Sequence, residues 1–315
     1  MSRYRITVNL EWTNACNARC SMCPRHMIGQ TEIMTESCFA TVIKRMNSAE
    51  VFRVVIAGYG EPSIHPQFGK FSDMLRGNPV RFDMVSNGHA LDIKKLRKID
   101  GSIHLLVVSF SSIVKEVYDK THVRLDQNRV IRNILCAAET LNKTKLAISL
   151  TPTIECLHTL PETIEWFHSR GITALTMSPT LYNRAGSLRQ SQESEARLRE
   201  IIRQYGLRSQ EMEFIPSLWD CVKQTCSNRF HCMPRNAVVA IAANGDYQYC
   251  FNDIGRKRRM GNVRDMSLAE ALKLREGTGS DPDLCAGCNI KGRYASREIA
   301  AVIRHYWSQG KSSRG

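Results

Sequence analysis

No apolar run in this 315-residue chain is long enough to span a bilayer, and the N-terminus lacks the charged-then-apolar layout of a secretion signal. A membrane-embedded or exported protein is therefore not expected, and a cytoplasmic one is. Internal repeats and low-complexity segments are absent too, so nothing suggests a repeat architecture. Acidic residues are outnumbered, 30 against 44 Lys and Arg, for a formal net charge of +14. Part of that excess is local, in Arg256-Lys257-Arg258-Arg259 and in the tail from Lys291 to Arg314. Such charge can draw an anionic substrate, an acidic carrier or nucleic acid, but a solvated basic surface is the favoured reading of any single patch. No interleaved aromatic platform accompanies the charge, so a nucleic-acid role lacks support.

What is present is ordinary for a globular protein, with 43% hydrophobic and 23% charged residues. The length allows one large core, or a domain of about 200–230 residues with a smaller appendage. Twelve cysteines without an export signal point to metal or cluster ligation before disulfides. Cys16, Cys20, Cys23, Cys232, Cys250, Cys285 and Cys288 fall into usable spacings. Cys38, Cys136 and Cys156 lie on or beside apolar runs and read as core.

Strand-like and amphipathic segments alternate over the first 180 residues. Strands are expected at Arg3–Trp12, Val51–Ala57, Val80–Val85, Ile103–Phe110, Lys145–Thr151 and Ile172–Met177. Helices are expected at Glu36–Met46 (capped by Thr35), Pro66–Arg76, Ile93–Ile99, Val114–Asp119, Asn128–Leu141 and Leu160–Ser169. This order implies βαβ units and a parallel sheet. Asn183–Gln192 reads as a linker or active-site loop, and Ser194–Tyr205 as a helix. From Trp219 the texture changes to dense cysteines and short strands, so the expected organisation is 1–185, a linker and helix over 186–218, and a cysteine-rich unit over 219–315.

The first strand runs into Cys16-Asn17-Ala18-Arg19-Cys20-Ser21-Met22-Cys23. Thiols at C-x3-C-x2-C can reach three corners of an iron–sulfur cube and leave the fourth iron open to a small molecule. A structural metal knuckle and buried free thiols are the plainer readings. Gly58-Tyr59-Gly60-Glu61-Pro62 follows the second strand; glycines permit close backbone approach, and the carboxylate can meet an ammonium group. Ser86-Asn87-Gly88 ends the third strand and is otherwise a turn. Ser109 ends the fourth, where local backbone bonding is the alternative. Thr151, Thr153, Glu155, Met177 and Ser178 are candidates by location at strand ends. Arg184, just beyond the last strand, can bind a carboxylate or another substrate oxygen, or be solvated.

In these motifs and their order the chain resembles radical S-adenosylmethionine (radical SAM) enzymes. The resemblance implies α/β architecture: a partial (β/α)6 TIM-type barrel with a small Cys-rich C-terminal extension of β-hairpin plus helix. It implies a 4Fe–4S cluster on Cys16, Cys20 and Cys23, with S-adenosyl-L-methionine (AdoMet) at the open iron. Gly60 and Glu61 would hold the methionine end, with Tyr59 standing where the commoner motif has glycine. Ser86, Asn87 and Ser109 would lie near the cofactor, and Met22 would pack on the adenine. An external donor such as flavodoxin or ferredoxin would supply the electron that cleaves AdoMet, and the 5′-deoxyadenosyl radical would abstract a substrate hydrogen.

Farther along, Cys232 and Cys250 flank a hairpin-like segment: Val238–Ala243, a turn at Asn244-Gly245-Asp246, then Tyr247–Tyr249. Cys285 and Cys288 form a C-x2-C pair. Four thiols suit a structural zinc or a fully ligated cluster, and spacing alone does not choose. The pattern resembles the Twitch extension, a shortened relative of SPASM, which implies one auxiliary 4Fe–4S cluster. Cys221 and Cys226 stand upstream as buried thiols, alternative ligands or a hydrogen-atom donor; Cys226 and Arg184 are the catalytic candidates.

An auxiliary cluster favours oxidation, such as dehydrogenation of an alcohol, with epimerisation or decarboxylation open. The chain shows no added N-terminal domain for a leader peptide, so the expected substrate is a small polar metabolite of sugar, aminocyclitol or nucleoside type. A ribosomal peptide or protein side chain is the alternative. A zinc-binding nucleic-acid adaptor is a third reading, which leaves the N-terminal motifs unexplained.

Overall fold

The computed structural model describes residues 6–178, 181, 192–209, 237–285 and 288. Ten strands form one sheet in the order β10-β9-β8-β1-β2-β3-β4-β5-β6-β7. The first six are β1 (Ile6–Leu10), β2 (Val51–Ile56), β3 (Phe82–Ser86), β4 (Leu105–Phe110), β5 (Lys145–Leu150) and β6 (Leu175–Met177). Each is parallel to the next, as expected for strands joined by crossover helices. Among the described residues the sheet does not close: its outer strands are β7 (Arg208–Ser209) and β10 (Arg259–Asn262). The result is an unclosed partial barrel.

The helices are α1 (Glu36–Arg45), α2 (Phe68–Leu75), α3 (Ile93–Ile99), α4 (Lys115–Thr121), α5 (Gln127–Thr140), α6 (Leu160–His168), α7 (Gln192–Gln204), α8 (Leu268–Gly277) and α9 (Pro282–Cys285). Thr35 caps α1 as its sequence suggests, its side chain accepting from the Cys38 N–H. Asp92 and Asp126 cap α3 and α5 in the same way. None of the described helices is long and apolar enough to cross a membrane.

Two features exceed the six-strand expectation. β7, two residues long, adds a seventh parallel strand beside β6. β8 (Val238–Ile241), the first strand of the expected hairpin, pairs in parallel with β1, Thr7 opposite Val238 through Leu10 opposite Ile241. β9 (Asp246–Gln248) and β10 then turn back antiparallel. Flanked on both sides, β1 is nearly all buried, which explains its apolar run.

Just past β1, Trp12 packs edge-on against Phe39 and Phe71 at 5.6 and 5.3 Å between ring centroids. Phe39 and Phe71 stack at 4.3 Å. This cluster pins β1 to α1 and α2, and fixes where the chain leaves the sheet four residues before Cys16. We expect Phe71→Ala to cost about 3–5 kcal/mol of unfolding free energy, read from urea denaturation; a change under about 1 kcal/mol would show that this cluster does not hold the sheet to its helices.

Candidate active site

The loop carrying the first three cysteines leaves β1 and is closed at its base. Thr13 bridges Ile33, and its hydroxyl donates to the Glu32 carbonyl. The Asn14 amide donates to the Gln30 carbonyl and accepts from the Glu32 N–H. The loop therefore stands over the ends of β1–β5, and one pocket gathers Cys16, Cys20, Cys23, Met22, Gly60, Glu61, Ser86, Asn87, Ser109 and Thr151. These residues come from five separate strand ends. Arg184, Cys226 and Cys232 lie outside the described residues. Of the other strand-end candidates, Thr153 is tied to Cys156, Glu155 is exposed and Met177 is buried in the core.

The two glycines of the Gly58–Glu61 stretch serve contacts within the chain. A Cβ on Gly60 would lie 2.1 Å from the Thr13 carbonyl oxygen and 2.5 Å from that of Ala15. One on Gly58 would collide with the Glu11 side chain. The loop thus lies directly on the backbone leading to Cys16, with the Glu61 N–H donating to the Ala15 carbonyl at 2.8 Å.

Glu61, 2% exposed, accepts at Oε1 from the Ser63 N–H (3.0 Å) and the Ser86 hydroxyl (2.7 Å), and at Oε2 from the Asn87 N–H (2.7 Å). A carboxylate accepts about four hydrogen bonds, so one site on Oε2 is left toward the pocket. Asn87 then reaches back: its amide donates to Asn17 Oδ1 at 2.8 Å and contacts Cys16 Sγ at 3.9 Å.

Burial pushes the Cys16 thiol up to about 11, with the Glu61 charge adding to the rise; the Ala18 N–H and Arg25 oppose it. Cys20 is pushed up to about 12 by burial, with Cys16 and Cys23 adding. The three sulfurs therefore sit within one another's field. Buried neutral thiols become thiolates when a bound cation compensates the charge.

Two pocket residues had not been singled out in the sequence. His122 places Nδ1 3.6 Å from Cys20 Sγ, and its Nε2 is buried without a hydrogen-bond partner. Burial holds this imidazole down to about 4, hence neutral at pH 7. No motif marks it, because α4 alone brings it to the site. Arg25 donates to the carbonyls of Asn14 and Tyr59, clamping the cysteine loop to the glycine loop. Its position two residues after Cys23 was the available clue.

Among the described residues no group of three or more His, Cys, Asp or Glu side chains is arranged to hold a single metal ion. A cubane asks for something different, each thiolate on its own iron, so its ligands stand apart around the cluster. Three thiols on one pocket wall, a neutral imidazole beside one and a side-chain amide beside another, fit such a group.

In the C-terminal portion, Cys250 Sγ accepts from the Asn252 N–H at 3.4 Å, and the Asn252 amide donates to Cys288 Sγ at 3.8 Å. The Cys288 N–H donates to the Cys285 carbonyl at 3.4 Å. One asparagine thus brings Cys250 and Cys288 together, with Cys285 alongside. Gly245 has φ +87, and a Cβ there would lie 2.9 Å from the buried Cys38 sulfur, so this glycine serves the hairpin turn.

The model of the radical SAM superfamily matches residues 10–167, and the chain belongs to that superfamily. Solved structures with a similar fold include native anSMEcpe with bound AdoMet, at 14% identity and TM-score 0.65, covering 90% of this chain and 86% of that one. The histidine-tagged form with bound AdoMet matches at 15% identity and TM-score 0.64, covering 86% and 82%. SuiB of Streptococcus suis bound to precursor peptide SuiA matches at 14% and 0.65, covering 89% of this chain and 66% of SuiB. At these identities the likeness is one of fold. No curated protein sequence matches the chain. Membership makes the chain a radical SAM enzyme and implies a 4Fe–4S cluster and AdoMet.

Glu61→Gln replaces an acceptor oxygen with an amide that opposes a donor. We expect it to lower unfolding free energy by about 1–3 kcal/mol in thermal or urea denaturation; undiminished stability would contradict the bonding described.

Proposed function

We propose that this enzyme reductively cleaves AdoMet and uses the resulting radical to take a hydrogen atom from a small polar metabolite of sugar, aminocyclitol or nucleoside type, oxidising an alcohol. The observation that carries this reading is the single pocket shared by Cys16, Cys20, Cys23, Glu61, Ser86 and Asn87 at the C-terminal ends of the strands. Under it, Cys16, Cys20 and Cys23 would hold the 4Fe–4S cluster, with AdoMet bound beside it. Bound together, cluster and AdoMet supply a carbon-centred radical that abstracts hydrogen.

The chain's own residues bind, orient and tune. Glu61 Oε2 offers its remaining acceptor site to the ammonium of the methionine end, next to the Gly60 backbone. Ser109 lies within reach of a ribose, and Met22 packs loosely on an adenine. The Asn87 amide near Cys16 and the His122 imidazole near Cys20 are the polar neighbours that set how readily the cluster accepts an electron. Arg25 favours the thiolate forms of both cysteines. An external flavodoxin- or ferredoxin-type donor completes the supply.

In the same reading the barrel spans 1–185, a linker and helix 186–218, and a Twitch-like extension 219–315. Cys250, Cys285 and Cys288, with Cys232, would hold an auxiliary 4Fe–4S cluster; the shared contact of Asn252 with two of the sulfurs supports a common centre. Held by four thiolates, such a cluster would supply electron acceptance rather than a substrate-binding site, which suits oxidation. Arg184 and Cys226 are assigned to the substrate side. A peptide substrate is the second reading, favoured by SuiB, whose structure holds a precursor peptide.

Cys16→Ala is expected to abolish 5′-deoxyadenosine formation while the C-terminal cluster persists; unchanged formation would sink the assignment. Cys250→Ala is expected to leave uncoupled AdoMet cleavage intact and stop product formation. Full turnover of substrate without Cys250 would remove the auxiliary role.

A further inference from the structure

The barrel lumen holds a cavity of about 590 Å³, within the range of small-molecule sites. It shares Val85, Ser109 and Thr151 with the cysteine pocket, so the two adjoin. Strand register sorts its walls into layers. The floor carries Arg53, Arg81, Asp83 and Lys145, where Asp83 engages Arg81 at 3.1 Å and Arg53 at 3.7 Å. Above it lies an apolar belt, Val85, Val107 and Ala147. The top layer is one register row running across four strands, Ser109 opposite Ser149, Ser149 opposite Thr176, and Thr176 opposite Arg208.

That row starts at the cysteine pocket and ends on a guanidinium. Arg208 lines the lumen and has no ion-pair partner among the described residues. At the far end of the row Arg208 presents a planar, permanently charged fork toward the cavity, which suits a phosphate or carboxylate oxyanion. We propose that the Arg208 end of this row is an oxyanion-recognition site, and that the enzyme acts on a small molecule whose phosphate or carboxylate lies against Arg208 while its reacting carbon lies toward Ser109. Arg208 is then a specificity-determining residue. Lys145 lies four residues below Ser149 on β5, about 13 Å lower, and plays no part in holding this group.

The inference rests on the radical SAM reading for the placement of the reacting end, but oxyanion binding is measured without turnover. Full-length, cluster-reconstituted protein is titrated with inorganic pyrophosphate and, separately, with citrate by isothermal titration calorimetry at physiological ionic strength. We expect one saturable site for at least one probe, weakened at least tenfold by Arg208→Gln, partly rescued by Arg208→Lys and changed less than twofold by Lys145→Gln. Preference for pyrophosphate names a phosphorylated substrate, and preference for citrate a carboxylated one. Absence of saturable binding, or equal loss in the Arg208 and Lys145 variants, as diffuse basic attraction gives, would overturn the proposal. AdoMet cleavage in the same preparations separates the failures. Lost oxyanion binding with intact 5′-deoxyadenosine formation overturns this site alone, and absent cleavage in the wild type overturns the reading beneath it.

Discussion

The contact on which the mouth of the barrel depends is the approach of Gly60 to the backbone of Thr13–Ala15, too close for any side chain. Because the loops touch there, the Glu61 N–H reaches the Ala15 carbonyl, and Arg25 spans the carbonyls of Asn14 and Tyr59. Glu61 then captures Ser86 and Asn87, and Asn87 returns to Asn17 and Cys16. The three strand-end loops form a closed ring of hydrogen bonds built from short polar side chains and backbone. Such a ring fixes the start of the cysteine loop and with it Cys16, which is the preorganisation a positioned cofactor needs.

The same loop also holds the C-terminal portion in place. Tyr59, at the place where the commoner motif has glycine, donates its hydroxyl to the Phe251 carbonyl, one residue after Cys250. Glu11, nearly buried, accepts from the Tyr59 N–H and pairs with Arg256 at 2.6 Å, while Arg256 also engages Glu32. A buried carboxylate is tolerated only when it is paired and hydrogen-bonded, and Glu11 is both. Arg256 achieves its reach with φ 50, an uncommon backbone for a residue with a side chain. The loop bearing Cys250 is thereby seated against the loop bearing Glu61.

Much of this was legible in the chain. Apolar runs bounded by turns marked six parallel strands, and α3 has the bounds its periodicity gives, Ile93–Ile99. The cysteine triad declared itself by spacing, and the glycine–glutamate stretch through the family resemblance that the triad opened. β7 did not, since two polar residues have no periodicity. Nor did the pairing of β8 with β1, a contact across more than 200 residues that only the folded sheet creates. A C-terminal helix was expected, but the Ser267–Glu270 capping box that starts α8 was a readable signal passed over. His122 and Arg208 carry no motif; tertiary placement alone brings His122 to the cysteine pocket and Arg208 to the lumen.

The most direct test is iron and acid-labile sulfide per chain after anaerobic reconstitution, wild type beside a variant with Cys16, Cys20 and Cys23 all changed to alanine. The account predicts about eight irons falling to about four, with loss of AdoMet binding. Iron content unaffected by removing the three thiols would contradict it.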